Sequence, residues 1–210
     1  MEKIVHEAVI KEDDENTDNE EETKEYKIDF EKLKNINNDV VAWLKVNGTK
    51  VEYPVVKAKD NSYYMNKNLE KKYNGGGWIF ADYKNKLDST DKNIVIYGHN
   101  MTDDSMFGSL DVILKEEWYN NAENYIIDFV TEQEFHKYEV FSVYQIKSED
   151  YYIKTEFKGD DFSEFIATLV NRSIKNFEVA VSEQDSILTL STCADNDSYR
   201  IVLHAKKIKE

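Results

Sequence analysis

One cysteine, one proline and two arginines among 210 residues set the first limits on this chain. Cys193 stands alone, so no intramolecular disulfide exists. With four scattered histidines it makes neither a CxxC nor an HExxH spacing, which argues against a structural metal. No apolar run reaches the roughly 18 residues of a membrane helix, and the N-terminus has neither the basic start nor the apolar stretch of a secretion signal. Positive charge is scarce as well. Lys+Arg 27 against Asp+Glu 42 gives a formal net charge of -15, and without a basic stripe the chain is not suited to nucleic acid. No internal repeat is visible, which removes propellers and solenoids.

What the chain does contain is 40% hydrophobic and 13% aromatic residues, enough over this length to bury one core and to favour one domain. Residues 11–25, "KEDDENTDNEEETKE", hold dense like charge without an apolar side chain, so residues 1–25 are expected to be a flexible acidic segment. "YKIDFEKLKNIN" then places Ile28, Leu33 and Ile36 near helical spacing, with Asp29 as a candidate N-cap. From Asp39 the texture turns to short β-branched and aromatic runs: "VVAWLKV", "TKVEYPVV", "GGWIFADY", "NIVIYGHN", "NYIIDFVT", "HKYEVFSVYQI", "SILTLSTC" and "YRIVLHAKKI". Eight such runs point to a closed β-barrel. "NGT" joins the first two as a hairpin, and Pro54 in the second implies an edge or a bulge there. Two helical insertions are expected, in "GSLDVILKEEWYNN" and, between the sixth and seventh runs, in "DDFSEFIATLVNRSI". The loop before the second insertion, "SEDYYIKTEFKG", is a candidate wall for a peptide groove.

Chemistry concentrates near the C-terminus. Alternation through "SILTLSTC" puts Ile187, Thr189, Ser191 and Cys193 on one face of a strand that ends at the thiol. After "ADNDSY" the chain returns as "RIVLHA", so an antiparallel hairpin brings Arg200 near Cys193. A fixed cation beside a thiol favours the thiolate and can hold a developing oxyanion. A proton carrier is also needed. His99 ends the apolar run "NIVIYGHN" where a barrel rim would begin, whereas His6 lies in the tail and His136 and His204 look like structural or surface strand positions. Ser191 shares the face of Cys193, and Asn100 and Tyr199 adjoin the catalytic positions; these three are candidate substrate contacts. "TDD" at 102–104 is too short a carboxylate cluster to argue for calcium. By themselves these patterns leave the function open, because a lone strand cysteine is commonly an inert small hydrophobe.

Taken together, "TLSTC" at 189–193, an arginine seven residues beyond the cysteine and "YGHN" upstream resemble the signature of the sortases, over roughly residues 28–208. "VVAWLKVNGTKVEYPVV", "DNSYYMNKNL", "GGWIFADYKN" and "MFGSL", with the helix at 161–173, resemble class B. The resemblance implies an eight-stranded sortase barrel, mainly β, with an N-terminal helix and a helix in the connection between barrel strands six and seven, and a catalytic domain over residues 26–210. It implies a cysteine transpeptidase in which Cys193 attacks the threonine carbonyl of a C-terminal sorting motif, His99 moves the proton and Arg200 binds the substrate backbone or the oxyanion. The partners it implies are the sorting-motif peptide of secreted surface proteins and a peptidoglycan amine acceptor, with no cofactor and no metal. The location it implies is the extracellular face of a Gram-positive membrane, reached only through an anchor that the polar N-terminus here lacks. The competing readings are a noncatalytic peptide-binding module or degenerate sortase, and a papain-like thiol hydrolase. The latter places its cysteine at a helix start before the histidine, the reverse of the order here.

Overall fold

The computed structural model describes residues 7–11, 26–147, 149–193 and 199–209. The acidic stretch over 12–25, His6 and residues 194–198, where a turn is expected, lie outside the described residues. Two short strands, β1 (Val9–Lys11) and β2 (Tyr26–Ile28), pair antiparallel with Val9 opposite Ile28, upstream of and across the domain start expected at residue 26. Ala8 is fully buried there, and its carbonyl accepts the Asp29 N–H at 2.9 Å. Helix α1 (Phe30–Ile36) follows. Its N-cap is Asp29, whose carboxylate accepts the Lys32 N–H at 2.8 Å, an interaction that contributes about 1 kcal/mol. Phe30 and Leu33 form its buried face.

All eight expected runs enter one closed barrel. They are β3 (Val40–Val46), β4 (Glu52–Val56), β5 (Phe80–Ala81), β6 (Asn93–His99), β7 (Ile126–Val130), β8 (Phe135–Lys147), β9 (Ile187–Cys193) and β10 (Tyr199–Lys207). Their order around the wall is β10-β8-β7-β3-β4-β5-β6-β9. The β3–β4 turn uses Gly48 at φ +70, a left-handed conformation that glycine adopts without a Cβ penalty. Pro54 sits where β4 faces β5, a side paired only at Val56↔Phe80. Its carbonyl accepts the Trp78 indole N–H at 2.9 Å, so the missing N–H breaks no ladder.

Inward-facing residues of the strands, among them Ala42, Leu44, Ile94, Ile96, Leu188, Leu190 and Leu203, fill the barrel. The β6–β7 connection is helical only in pieces: a 3-10 stretch over Gly108–Leu114 and one turn, α2 (Glu116–Tyr119), separated by an extended Lys115, and a second 3-10 stretch over Ala122–Tyr125. Leu110, Ile113 and Trp118 still reach the core, as their spacing requires. Helix α3 (Asp161–Arg172) lies in the connection between β8 and β9, the sixth and seventh barrel strands. Its stripe of Phe162, Phe165, Ile166 and Leu169 packs on Phe141, Tyr144, Ile187 and Val202 of the outer barrel wall. Each such side chain taken out of water contributes about 1.5–3 kcal/mol. Strand β9 is therefore buried on both faces.

Candidate active site

Two strand pairings bring the three chemistry-bearing residues to one rim. β6 and β9 are parallel and in register from Asn93↔Ile187 to His99↔Cys193, so both strands end at the same level and side by side. Parallel neighbours lie about 4.8 Å apart, and an antiparallel pairing of the same two strands would have sent their ends to opposite rims. On the other side of β9, β10 runs antiparallel with Val202 opposite Ser191, so Arg200, near the start of β10, stands at the rim where β9 ends at Cys193. Position 193 thus has His99 beside it on one strand and Arg200 at the same rim on the other.

His99 is held from outside the barrel strands. Its Nε2 lies 3.0 Å from the Met65 carbonyl oxygen, and because a carbonyl only accepts, Nε2 is the donor. Met65 ends a 3-10 turn over Tyr63–Met65 in the long β4–β5 connection. The Asp60 carboxylate holds this turn by accepting the Ser62 and Tyr63 N–H groups at 2.8 and 3.0 Å. Inside it the buried Tyr64 hydroxyl donates to Asp39 at 2.6 Å and accepts from the Asn37 amide at 2.8 Å.

Arg200 Nη1 is buried and has no hydrogen-bond partner among the described residues. A buried donor left without a partner costs about 1–3 kcal/mol, so Nη1 calls for an acceptor outside the described residues. The guanidinium borders a groove of about 600 Å³ whose lining also includes Asn61, Met65, Tyr97, Tyr152 and Ser191. Ser191, only 3% exposed, shares a 3.0 Å hydrogen bond with the Tyr152 hydroxyl. On the facing wall, Asp82 accepts from the Tyr97 hydroxyl at 2.9 Å and from the Asn61 amide at 2.8 Å.

Beneath the groove a chain of side chains ties the β8–β9 connection to the barrel. Thr189 donates its hydroxyl hydrogen to Asn93 Oδ1 at 2.6 Å, so it accepts from His204 Nδ1 at 2.9 Å. The Tyr151 hydroxyl donates to Tyr144 at 3.1 Å, and Tyr144 lies 2.9 Å from His204 Nε2. Burial depresses the His204 pKa to about 3, so the ring is neutral. With Nδ1 as its donor, Nε2 must accept from Tyr144, and every bond in the chain has one direction. Asn93 completes it by donating to the carbonyls of Tyr152 and Lys154 at 3.3 and 2.9 Å.

The remaining candidates divide. Asn100 donates to Asp111 at 2.9 Å and Tyr199 is 44% exposed; neither lines the groove, whereas Ser191 does. His136 lies beside Glu134 and Lys207 at a surface site. Of the "TDD" carboxylates, Asp103 binds Ser105 and Asp104 pairs with Lys50. Among the described residues no group of three or more His, Cys, Asp or Glu is arranged to hold a metal ion. The stretch from 149 to 153 supplies groove residues, as the loop before α3 was expected to. Asn61, Met65 and Tyr97 carried no signal that marked them in advance.

Comparison with known proteins agrees with this architecture. The family described as "Sortase domain" matches residues 44–208. Sortase B of Staphylococcus aureus is 38% identical over 184 residues, spanning 86% of this chain and 75% of the relative. A solved structure of a Staphylococcus aureus sortase B–substrate complex superposes with a TM-score of 0.80 at 38% identity, covering 86% of this chain and 85% of that one. A sortase B complexed with triglycine gives a TM-score of 0.81 at 38% identity, covering 86% of each. On the matched domain, the shared barrel and this level of identity, the chain belongs to the sortase family as a class B sortase, a cysteine transpeptidase.

Proposed function

We propose that Cys193, His99 and Arg200 perform the transpeptidation, acting on a sorting-motif peptide laid in the groove beside them. The observation that carries this reading is the register that sets His99 beside Cys193 at the rim where β10 begins with Arg200, together with an Arg200 Nη1 that is buried at the groove without a partner among the described residues. The Cys193 thiolate attacks the threonine carbonyl carbon, whose oxygen becomes an oxyanion within reach of the guanidinium. Collapse of this adduct breaks the C–N bond, and His99 gives its proton to the leaving amine. A thioester remains on Cys193. An incoming amine attacks the thioester and passes a proton to His99; the new amide forms and the thiolate is restored. With Nε2 engaged by Met65, Nδ1 is the nitrogen that exchanges protons.

Arginine suits position 200 because its planar fork presents several donors in fixed geometry, which a lysine ammonium does not. Ser191, through its bond to Tyr152, fixes the adjoining wall of the groove. The substrate complex and the triglycine complex of sortase B support a peptide donor and an amine acceptor here as well. The acceptor proposed is a peptidoglycan amine and the setting is the extracellular face of a Gram-positive cell. No described helix is long and apolar enough to cross a membrane.

The test is cleavage of quenched fluorescent pentapeptides of the LPxTG, NPxTx and SPxTG kinds, with and without an added amine. Wild-type protein is expected to cleave at least one and to yield a ligated product with amine, while Cys193→Ala retains peptide binding without turnover. Turnover by Cys193→Ala would overturn the assignment.

A further inference from the structure

We propose that Gly77 is a positioning residue for the transpeptidation, and that its missing side chain is what allows the Met65 carbonyl to hold His99. The inference rests on His99 as the proton carrier. Gly77 closes the run of three glycines at 75–77 and takes a left-handed φ of +58. A Cβ on it would overlap the Tyr64 carbonyl oxygen and stand 2.7 Å from the Met65 oxygen and 2.9 Å from the Met65 carbonyl carbon. Unbonded atoms do not approach so closely, so any side chain at 77 must move the oxygen to which His99 donates.

Of the two oxygens, that of Tyr64 has little room to retreat. The Tyr64 carbonyl accepts the Trp78 N–H at 3.0 Å, and Trp78 is fixed through its indole N–H on Pro54. Tyr64 itself is anchored by the buried hydrogen bonds of its hydroxyl. The glycine turn is held in its own right, because Asn74 accepts the Gly77 N–H on its carbonyl at 3.0 Å and the Gly76 N–H on its side chain at 2.8 Å. Strain introduced at 77 therefore passes to the His99 contact, and misplacing a catalytic group by about 1 Å costs on the order of 10²-fold in rate.

The experiment compares Gly77→Ala with Gly159→Ala. Gly159, which does not line the groove, has nearly the same backbone, φ +53, but nothing within 4 Å of a Cβ, so this control carries the left-handed penalty without the overlap. Gly77→Ala is expected to lower kcat by about 10- to 100-fold, more than it raises KM, while Gly159→Ala stays within about twofold of wild type. The imidazole ¹⁵N spectrum of His99 gives a readout that stability alone does not move. Wild type is expected to show a protonated Nε2, and Gly77→Ala to lose that preference. Asn74→Ala, an exposed change that loosens the turn without adding an atom, is expected to shift the spectrum in the same direction and to a smaller extent, and it serves if Gly77→Ala fails to fold. An unprotonated Nε2 in wild type, or a wild-type kcat and spectrum in the variants at 77 and 74, would overturn the proposal. His99→Ala separates the two levels: full turnover by that variant removes the reading of His99, whereas an inactive His99→Ala beside an unaffected Gly77→Ala removes only the role of Gly77.

Discussion

On the His99 side the groove is walled by the β4–β5 connection, whose direct hold on His99 is a main-chain atom, the Met65 carbonyl, carried by a turn that Asp60 and the Tyr64 hydroxyl brace from behind. On the Arg200 side it is walled by the β8–β9 connection, which is tied down by side chains, with Thr189, His204, Tyr144, Tyr151 and Asn93 passing hydrogen bonds in one direction. A main-chain hold has no proton to gain or lose and depends on backbone shape. A buried side-chain chain depends on each member's chemistry, and one of its members titrates. The two walls should therefore fail under different insults.

The largest expected effect falls on the side-chain wall. Thr189→Val leaves the His204 Nδ1–H and Asn93 Oδ1 unpaired in the interior and is expected to destabilise the fold by about 3 kcal/mol in urea unfolding. Next comes its sensitivity to acid. The folded pKa of His204, near 3, lies below the ordinary value of 6.5, so unfolding takes up a proton. The stability tied to the neutral ring is complete above about pH 7.5 and is lost as pH falls through 6.5 toward 3. Between pH 7.5 and pH 5 this term amounts to about 2 kcal/mol, and His204→Gln is expected to lose that much less than wild type over the same interval. Equal pH dependence of the two proteins would break the comparison. The smallest effect belongs to the brace behind the β4–β5 wall. Tyr64→Phe is expected to cost about 1 kcal/mol, because Asn37 keeps its bond to the Leu69 carbonyl and Asp39 keeps Lys71, and to lose slightly less stability than wild type as pH falls, because the Tyr64 hydroxyl helps hold the Asp39 pKa down.

The same contrast explains how much of the molecule was legible in its sequence. Short β-branched and aromatic runs marked all eight barrel strands, and Asp29 announced the start of α1, because these features arise from residues close in the chain. Cys193, His99 and Arg200 were legible as residue types at strand ends. The grip on His99 was not, since every residue offers a carbonyl and nothing in "SYYMNK" distinguishes that of Met65. His204, followed closely by Lys206 and Lys207, looked like an ordinary strand position; its complete burial follows from β8 and β9 on either side and the connection above, all supplied by distant segments. The pairing of Val9–Lys11 with Tyr26–Ile28 was hidden for a similar reason, because an acidic run separates the two strands.

The central claim is that Cys193 reacts between His99 and a guanidinium whose donor geometry, not merely its charge, carries the oxyanion. Single-turnover acylation, followed by intact-protein mass spectrometry with a cleavable sorting peptide, tests it most directly on wild type and Arg200→Lys. The account predicts an acyl adduct on Cys193 that forms about 10²-fold or more slowly in the lysine variant, with the melting temperature unchanged. Acylation of Arg200→Lys at the wild-type rate, or an adduct on a residue other than Cys193, would contradict it.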